Sequence, residues 1–359
     1  MHMADALLSP AAGATFWAGT IGAIAYCSKK LKENMDEKLI PLMGVLGAFI
    51  FAAQMINFTI PGTGSSGHLG GGMILTIILG PCPAFIVMAS VLTVQALFFA
   101  DGGLLALGCN IWNLGIYPCF VGYPLIYEPL TKGTAGPKRI FVAALISGVV
   151  ALQLGAFSVV IETMLSGRSE LPFSTFAMMM QPIHLGIGIV EGFVTAGVIN
   201  FVRAARPEIL QSVALARPIS AGGPSRKVLA CLLVAALFTG GALSWFASDN
   251  PDGLEWSIER VFGKPELPEH ESGIAPALKK IQEKTAFLPD YKLRARAERA
   301  GGQESGKDEK TLPSADAGTS VSGVIGSAMV IGLILLIGLG LRLARKNKTA
   351  QKTTGNDIR

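Results

Sequence analysis

The chain has 359 residues, of which half are hydrophobic and 15% are charged, and its formal net charge is +5. With 43 glycines and a mean hydropathy of +0.49, this composition excludes an ordinary soluble globular protein and indicates a polytopic membrane protein. The five cysteines are odd in number and show no CxxC spacing, so neither a disulfide framework nor a thiolate zinc site is indicated.

The chain begins with MHMADALLSP, in which a histidine directly follows the start residue. Met1 and His2 together offer a metal three nitrogens: the α-amine, the main-chain nitrogen of His2 and a ring nitrogen of His2. These nitrogens would form fused five- and six-membered chelate rings. A fourth nitrogen would complete a planar set that suits Ni(II) or Cu(II) rather than Zn(II) or Mg(II). The start lacks a basic segment and a small-residue cleavage box, so we expect Met1 to be retained rather than removed with a signal peptide.

Apolar runs long enough to cross about 30 Å of hydrocarbon follow along the chain. With the break at Gly80-Pro81-Cys82-Pro83 counted as a turn, they predict an all-α transmembrane bundle of about nine spans. The run from Leu69 to Leu79 is too short to cross alone, and we expect a tilted or partly re-entrant helix there. The runs cover residues 12–28, 39–59, 69–80 continuing into 84–100, 104–127, 139–163, 180–202, 228–247 and 321–341.

A glycine-rich segment, GTGSSGHLGGG (Gly62 to Gly72), precedes the third run. It contains His68, our candidate for the fourth metal ligand, because histidine is the commonest metal ligand and glycine allows close backbone approach. Alternatively, His68 satisfies backbone groups of its own loop, and the glycines serve helix packing.

The basic residues are distributed unevenly between the two ends of the predicted spans. The short segments on one side hold almost none besides Arg168, which predicts an extracytoplasmic N-terminus and a cytoplasmic C-terminus. His2 and His68 then lie on the same outer side. The inner segments contain Lys29, Lys30, Lys32, Lys38, Lys132, Lys138, Arg139, Arg203, Arg206, Arg217, Arg226, Lys227, Arg342, Arg345, Lys346 and Lys348.

Several polar side chains fall within the apolar runs, where ionisable groups are candidates for function. His184 and Glu191 are seven residues apart on one helical face, which suits either a proton relay or a hydrogen-bonded structural pair. The others are Gln54, Asn57, Gln95, Asp101, Asn110, Asn113, Gln153 and Glu162.

Small residues recur at four-residue spacing in the first two runs, a pattern that lets a second helix approach closely. This approach serves either packing inside the bundle or docking of a separate membrane subunit. One stripe is Ala14, Ala18 and Gly22, and the other is Gly44, Ala48 and Ala52.

The composition changes after Arg203, where a polar connection rich in proline, glycine and arginine begins. We therefore predict a metal-binding transmembrane domain over 1–215 and an accessory region over 216–359. The accessory region would contain two transmembrane helices and an outer segment. Short helices are expected at Pro251 to Gly263 and at Ile274 to Lys284, and disorder from about Ala297 to Gly318.

Four separated blocks match a known family in order: MHMADALLSP, GSSGHLGGGMILTIILGPCP, VQALFFADGGLLALGCNIWN and HLGIGIVEG. They resemble the CbiM/NikM family, the substrate-binding (S) component of energy-coupling factor (ECF) nickel/cobalt importers, over about Met1 to Ala205. The sequence PDGLE (Pro251 to Glu255) followed by WS, with its flanking spans, resembles the small NikN-like accessory component, here fused to the first.

The resemblance implies that the metal is bound by the Met1 amine, the backbone and ring nitrogens of His2, and His68. All three residues are retained in this chain. Met3-Ala4 replaces the more usual apolar-Pro pair, and Ala6 stands where glycine is common. These departures bear on the path of the loop rather than on the ligands.

The sequence thus predicts a transporter component, not an enzyme, that takes Ni(II) or Co(II) as its transported substrate and has no permanent cofactor. The resemblance implies that transport uses a transmembrane coupling (T) subunit and ATP-binding (A) subunits. No segment of this chain fits GxxxxGK[ST], so ATP hydrolysis would take place in another polypeptide. The chain is expected to lie in a lipid bilayer, which the resemblance implies is the inner membrane of a bacterial cell. No nucleic-acid partner is expected. The alternatives are a cobalt importer component for cobalamin synthesis, a stand-alone secondary transporter that uses His184 and Glu191, and a membrane enzyme, for which no nucleophile and base stand at recognisable spacing.

Overall fold

A computed structural model describes residues 2–34, 36–133, 136–168, 171–214, 226–264, 267, 273–292 and 317–356. These residues are mostly helical, as predicted, with one short β-hairpin. A π-helix (Trp112–Tyr127) joins α5 to α6, and 3-10 turns span Asp5–Leu7, Leu243–Phe246 and Pro289–Tyr291. The α-helices are α1 (Pro10–Asn34), α2 (Leu39–Gln54), α3 (Gly72–Leu79), α4 (Pro81–Phe99), α5 (Leu107–Ile111), α6 (Glu128–Thr131), α7 (Pro137–Ser166), α8 (Phe173–Ala205), α9 (Pro207–Ala214), α10 (Arg226–Gly241), α11 (Gly253–Phe262), α12 (Ala275–Thr285) and α13 (Ala317–Asn356).

The described helices include four that are long and apolar enough to cross a membrane: Pro81–Phe99, Pro137–Ser166, Phe173–Ala205 and Gly318–Arg345. Leu39–Gln54 is apolar but shorter. The predicted all-α membrane bundle is therefore confirmed, whereas the predicted count of about nine spans is not.

The predicted short element before the proline-rich break is the eight-residue helix α3. At 1.5 Å per residue it is about 12 Å long, less than half of the hydrocarbon thickness. It ends at Gly80, whose φ of +84° suits glycine, and Pro81 begins α4 at the first helical position, where proline is favoured. The turn is thus confined to Gly80, because Pro81 and Pro83 belong to the first turn of α4.

The second apolar run was predicted to be helical to residue 59, but α2 ends at Gln54. The β-branched and aromatic residues that follow form strand β1 (Phe58–Ile60), which pairs antiparallel with β2 (Ser65–Gly67). The register pairs Phe58 with Gly67 and Ile60 with Ser65. This hairpin leads the chain directly into the loop of His68.

The π-helix contains Pro118 and Pro124. Each proline lacks an N–H donor and crowds the preceding turn of a helix, and the wider π turn accommodates both effects. The predicted run over 104–127 is thus one continuous helical stretch that extends to Thr131.

The two helices of the accessory region, α10 and α13, pack against each other and against α2 through small residues. A β-carbon added to Gly323 would stand 2.5 Å from the carbonyl oxygen of Gly240, and the Ser327 hydroxyl donates to the Ala48 carbonyl oxygen at 3.3 Å. The stripe that contains Ala48 therefore packs inside the bundle. Ala14, Ala18 and Gly22 of the other stripe are exposed.

The segment between α10 and α13 of the accessory region contains α11 and α12, close to the two predicted short helices. Asp252 begins α11 with a capping box: its carboxylate accepts from Leu254 N–H at 2.7 Å and Glu255 N–H at 2.8 Å, and the Glu255 carboxylate accepts from Asp252 N–H. The predicted boundary near residue 215 lies outside the described residues. Most of the stretch predicted to be disordered lies outside them too.

Candidate metal site

The segment after the chain start is buried in the bundle and fixed by backbone hydrogen bonds. Met3 is fully buried, and its N–H donates to the side-chain oxygen of Asn110 at 2.8 Å. Its carbonyl oxygen accepts from Gly103 N–H at 2.9 Å. The carboxylate of Asp5 accepts from Ala106 N–H at 2.9 Å. Met1, one of the predicted ligands, lies outside the described residues.

The loop that carries His68 is held by polar side chains from two helices. The carboxyl oxygens of Glu191 accept from Gly70 N–H at 2.8 Å and from Gly71 N–H at 3.2 Å. The amide of Gln54 donates to the Gly70 carbonyl oxygen at 2.8 Å. These bonds fix the backbone immediately after His68.

The glycines of this loop are needed for close approach. Gly71 has a φ of +75°, a left-handed conformation that glycine adopts readily. A β-carbon added to Gly67 would stand 2.3 Å from Cδ1 of Ile187, and one added to Gly72 would stand 2.3 Å from Cγ of Pro118. Helix packing against the loop thus depends on the absence of side chains there.

His2 and His68 lie together, although they are far apart in the sequence. Their rings are stacked with a centroid distance of 4.9 Å and an interplanar angle of 11°. Both side chains are buried, with exposed fractions of 7% and 8%. The structure therefore brings together the two histidines that the sequence singled out as metal ligands.

His2 is connected to the accessory region through Asp101 and Tyr291, which the sequence did not assign to the site. The Asp101 carboxylate lies 3.0 Å from Nδ1 of His2 and accepts a hydrogen bond from the Tyr291 hydroxyl. The amide of Gln282 donates to the carbonyl oxygen of Gly102 at 2.7 Å. Asp101 was noted only as a polar residue at membrane depth, and no sequence pattern marked Tyr291 as its partner.

The hydrogen-bond partners assign the proton on one nitrogen of each ring. Nδ1 of His68 lies 3.0 Å from the carbonyl oxygen of Leu69, and Nδ1 of His2 faces a carboxylate. Because both partners can only accept, each Nδ1 donates. Nε2 of His2 is then left for a metal, and it is buried without a hydrogen-bond partner.

This arrangement differs from the chelate expected at the chain start. A six-membered ring with the main-chain nitrogen of His2 requires Nδ1, which here faces Asp101. The nitrogen lone pairs of an imidazole lie in the plane of its ring. Because the two rings are stacked and nearly parallel, their planes are separate, and one ion cannot lie in both. Formation of the chelate therefore requires the His2 ring to turn and release Asp101.

Burial favours a neutral imidazole at His68. It lowers the pKa of His68 to about 3. Metal binding requires the neutral form of histidine, which is thus already present near neutral pH.

The carboxylate beside His2 stays ionised. Burial alone would raise the pKa of Asp101, but the charge and hydrogen bond of His2, with the Tyr291 hydroxyl, hold it below its usual range. Burial and the Asp101 charge raise the pKa of Tyr291 well above its ordinary value, so its hydroxyl remains a donor.

His184 and Glu191, which the sequence suggested as a pair, each bond to a different partner. Nδ1 of His184 lies 2.8 Å from the carbonyl oxygen of Met180, whereas Glu191 holds the loop of His68. Glu191 therefore has a positioning role that the seven-residue spacing alone did not reveal.

Within the described part of the chain, no three His, Cys, Asp or Glu side chains gather in a metal-binding cluster. The four-nitrogen set predicted from the sequence contains only two side chains and takes its other nitrogens from the main chain.

Residues 2–209 match the family model described as the cobalt uptake substrate-specific transmembrane region. The chain belongs to this family. Residues 226–343 match the PDGLE domain, so the predicted fusion of a CbiM/NikM-type region with a NikN-like accessory region is confirmed.

Relatives of the cobalt-uptake family include proteins named for either metal. The chain is 32% identical to the putative fused nickel transport protein NikMN of Archaeoglobus fulgidus, over 98% of this chain and 100% of that protein. It is 30% identical to the cobalt transport protein CbiM of Sorangium cellulosum, over 60% of this chain and 97% of that protein.

A solved structure supports the fold. The crystal structure of a truncated transition metal transporter matches with a TM-score of 0.51 and 32% identity, over 57% of this chain and 99% of that chain. The chain is therefore a membrane component of metal transport, with nickel and cobalt as the metals of its relatives.

Proposed function

We propose that this chain captures Ni(II), in preference to Co(II), at the outer face of the plasma membrane and passes it inward. The ligands are the Met1 amine, the main-chain and ring nitrogens of His2, and a ring nitrogen of His68. In this proposal the N-terminus is extracytoplasmic and the C-terminus is cytoplasmic.

The observation that supports the proposal best is the contact between the buried rings of His2 and His68, at 4.9 Å, next to the chain start. An amine, an amide nitrogen and two imidazoles form a planar nitrogen set, which suits nickel and disfavours the oxygen-preferring Mg(II) and Ca(II). Glu191 and Gln54 hold the His68 loop, so the fourth ligand is presented by a preformed backbone.

We further propose that transport depends on a transmembrane coupling subunit and ATP-binding subunits, as in energy-coupling factor importers. The sequence has no P-loop to bind a nucleotide itself. The exposed small-residue stripe of α1 offers a helix face for close approach of another membrane subunit.

Nickel titration of the purified full chain tests the proposed ligands. Insertion of one alanine between Met1 and His2 moves the ring nitrogen out of the compact chelate, and His68→Ala removes the fourth ligand. Both changes should weaken nickel binding by about tenfold or more, since loss of even a supporting partner of a metal ligand costs about 10- to 100-fold.

Met3→Leu is the matched control, because it changes a buried residue beside His2 without altering any nitrogen. It should keep its nickel affinity. If the insertion and His68→Ala bind nickel as tightly as the unaltered chain, the nitrogen ligand set is wrong.

A further inference from the structure

A small cavity adjoins His68 and is shared between the metal-binding region and the outer segment of the accessory region. Its walls include His68, His184 of α8, and Asp252 and Gly253 at the start of α11. The outer segment is tied to this place by hydrogen bonds: Ser66 N–H donates to the Pro251 carbonyl oxygen at 2.8 Å. The PDGLE sequence therefore lines an interior space directly beside a proposed metal ligand.

His184 presents a buried nitrogen at this cavity. Its Nδ1 lies 2.8 Å from the carbonyl oxygen of Met180, so Nδ1 carries the hydrogen. In the neutral imidazole Nε2 then has a free lone pair. His184 is 1% exposed, and its Nε2 has no hydrogen-bond partner. A histidine whose other nitrogen donates to a backbone carbonyl is the usual form of a metal ligand.

Gly253 brings the start of α11 against this nitrogen. A β-carbon added to Gly253 would stand 3.1 Å from Cε1 and 3.6 Å from Nε2 of His184. The same β-carbon would stand 2.7 Å from Cγ2 of Ile183, so the absence of a side chain at residue 253 favours this close packing of the start of α11 against α8. Asp252 lines the same cavity, so an acidic residue stands on the wall that His184 also lines.

We propose that Nε2 of His184 and the Asp252 carboxylate form a second, weaker site for the transported divalent cation, next to the site at His68. This inference rests on the proposed function, because the second site is the place that the cation reaches after capture. The protein supplies only two ligands there, one imidazole and one carboxylate. The site is weak as a result, as a step in a transport path must be if the ion is to leave again.

The test is calorimetric titration of the full chain in detergent with nickel chloride. The unaltered chain should show two binding events, the second at least about tenfold weaker than the first. His184→Asn should abolish the second event or weaken it by about tenfold or more, with the first unchanged within about twofold. The asparagine amide can still donate to the Met180 carbonyl, as Asn200 of the same helix does to Ala196 at 2.9 Å.

Two further variants complete the comparison. Asp252→Asn removes the negative charge but keeps a residue of equal capping ability, so α11 should remain folded while the second event weakens. Thr195→Val is the control, because it alters a buried polar residue of the same helix away from the cavity. It should leave both events intact.

The failure of this inference is distinct from that of the proposed function. A single event in the unaltered chain, or a second event that persists in His184→Asn, overturns the second site and leaves water as the occupant of the cavity. Loss of the first event in His68→Ala with the second retained supports both sites. A first event of unchanged affinity in His68→Ala contradicts the proposed capture site instead.

Discussion

Replacement of Glu191 by glutamine tests whether the loop behind His68 must be held for nickel to bind. Glu191 accepts hydrogen bonds from two backbone N–H groups, those of Gly70 and Gly71, and both bonds are buried. A glutamine side chain has one acceptor oxygen, so one N–H loses its partner and faces an NH2 group instead. An unsatisfied buried donor costs about 1–3 kcal/mol.

If the whole of this free-energy cost displaces the His68 loop from its metal-binding position, the affinity for nickel falls by about 5- to 150-fold. Titration calorimetry of Glu191→Gln measures this directly. Glu162→Gln is the matched control, because Glu162 is another buried carboxyl group, bonded to Asn113 at 2.9 Å and Ser158 at 3.0 Å. It should change the nickel affinity by less than about threefold. Equal nickel affinities for Glu191→Gln and the unaltered chain, with both folded, would refute the reasoning.

Three further outcomes are expected. Tyr291→Phe removes the hydroxyl that shares Asp101, so Asp101 holds His2 more tightly and nickel binding in calorimetry should weaken severalfold; tighter binding would contradict the proposed ring movement. Nickel binding should release protons and strengthen as pH rises through about 8, the ordinary pKa of an α-amine, and calorimetry in buffers of different ionisation enthalpy that detects no release near neutral pH would exclude the amine chelate. Ala48→Leu should lower the melting temperature, because overpacking a buried site costs about 1–3 kcal/mol. Ala18→Leu, at an exposed position, should leave the melting temperature unchanged and reduce co-purification with a coupling subunit. Normal co-purification of Ala18→Leu would mean that α1 is not the docking helix.

The sequence was sufficient to predict the helical bundle and the meeting of two histidines. Hydrophobic runs predict membrane helices because backbone groups in lipid must bond within their own segment. His2 and His68 could be paired because the chemistry of a metal chelate requires a fourth nitrogen, and the distribution of basic residues placed both on one side. The ends of the elements were less predictable: α2 stops at Gln54 because the following residues pair as a strand, and hydropathy does not distinguish the two.

The partners of the site residues depend on tertiary contacts that no local pattern encodes. Asp101 meets Tyr291 from the other end of the chain, and Glu191 bonds to the loop of His68 rather than to His184. His68 is neutral because it is buried. Its replacement by alanine should therefore remove a ligand without changing the number of protons that the free protein carries near neutral pH.

X-ray absorption spectroscopy of the nickel-loaded chain tests the central claim most directly. A planar nickel centre with four nitrogen neighbours, two of them from imidazole rings, is the predicted result, and it should be lost when the α-amine is acetylated. A six-coordinate centre dominated by oxygen neighbours, unchanged by acetylation, would contradict capture by the chain start and His68.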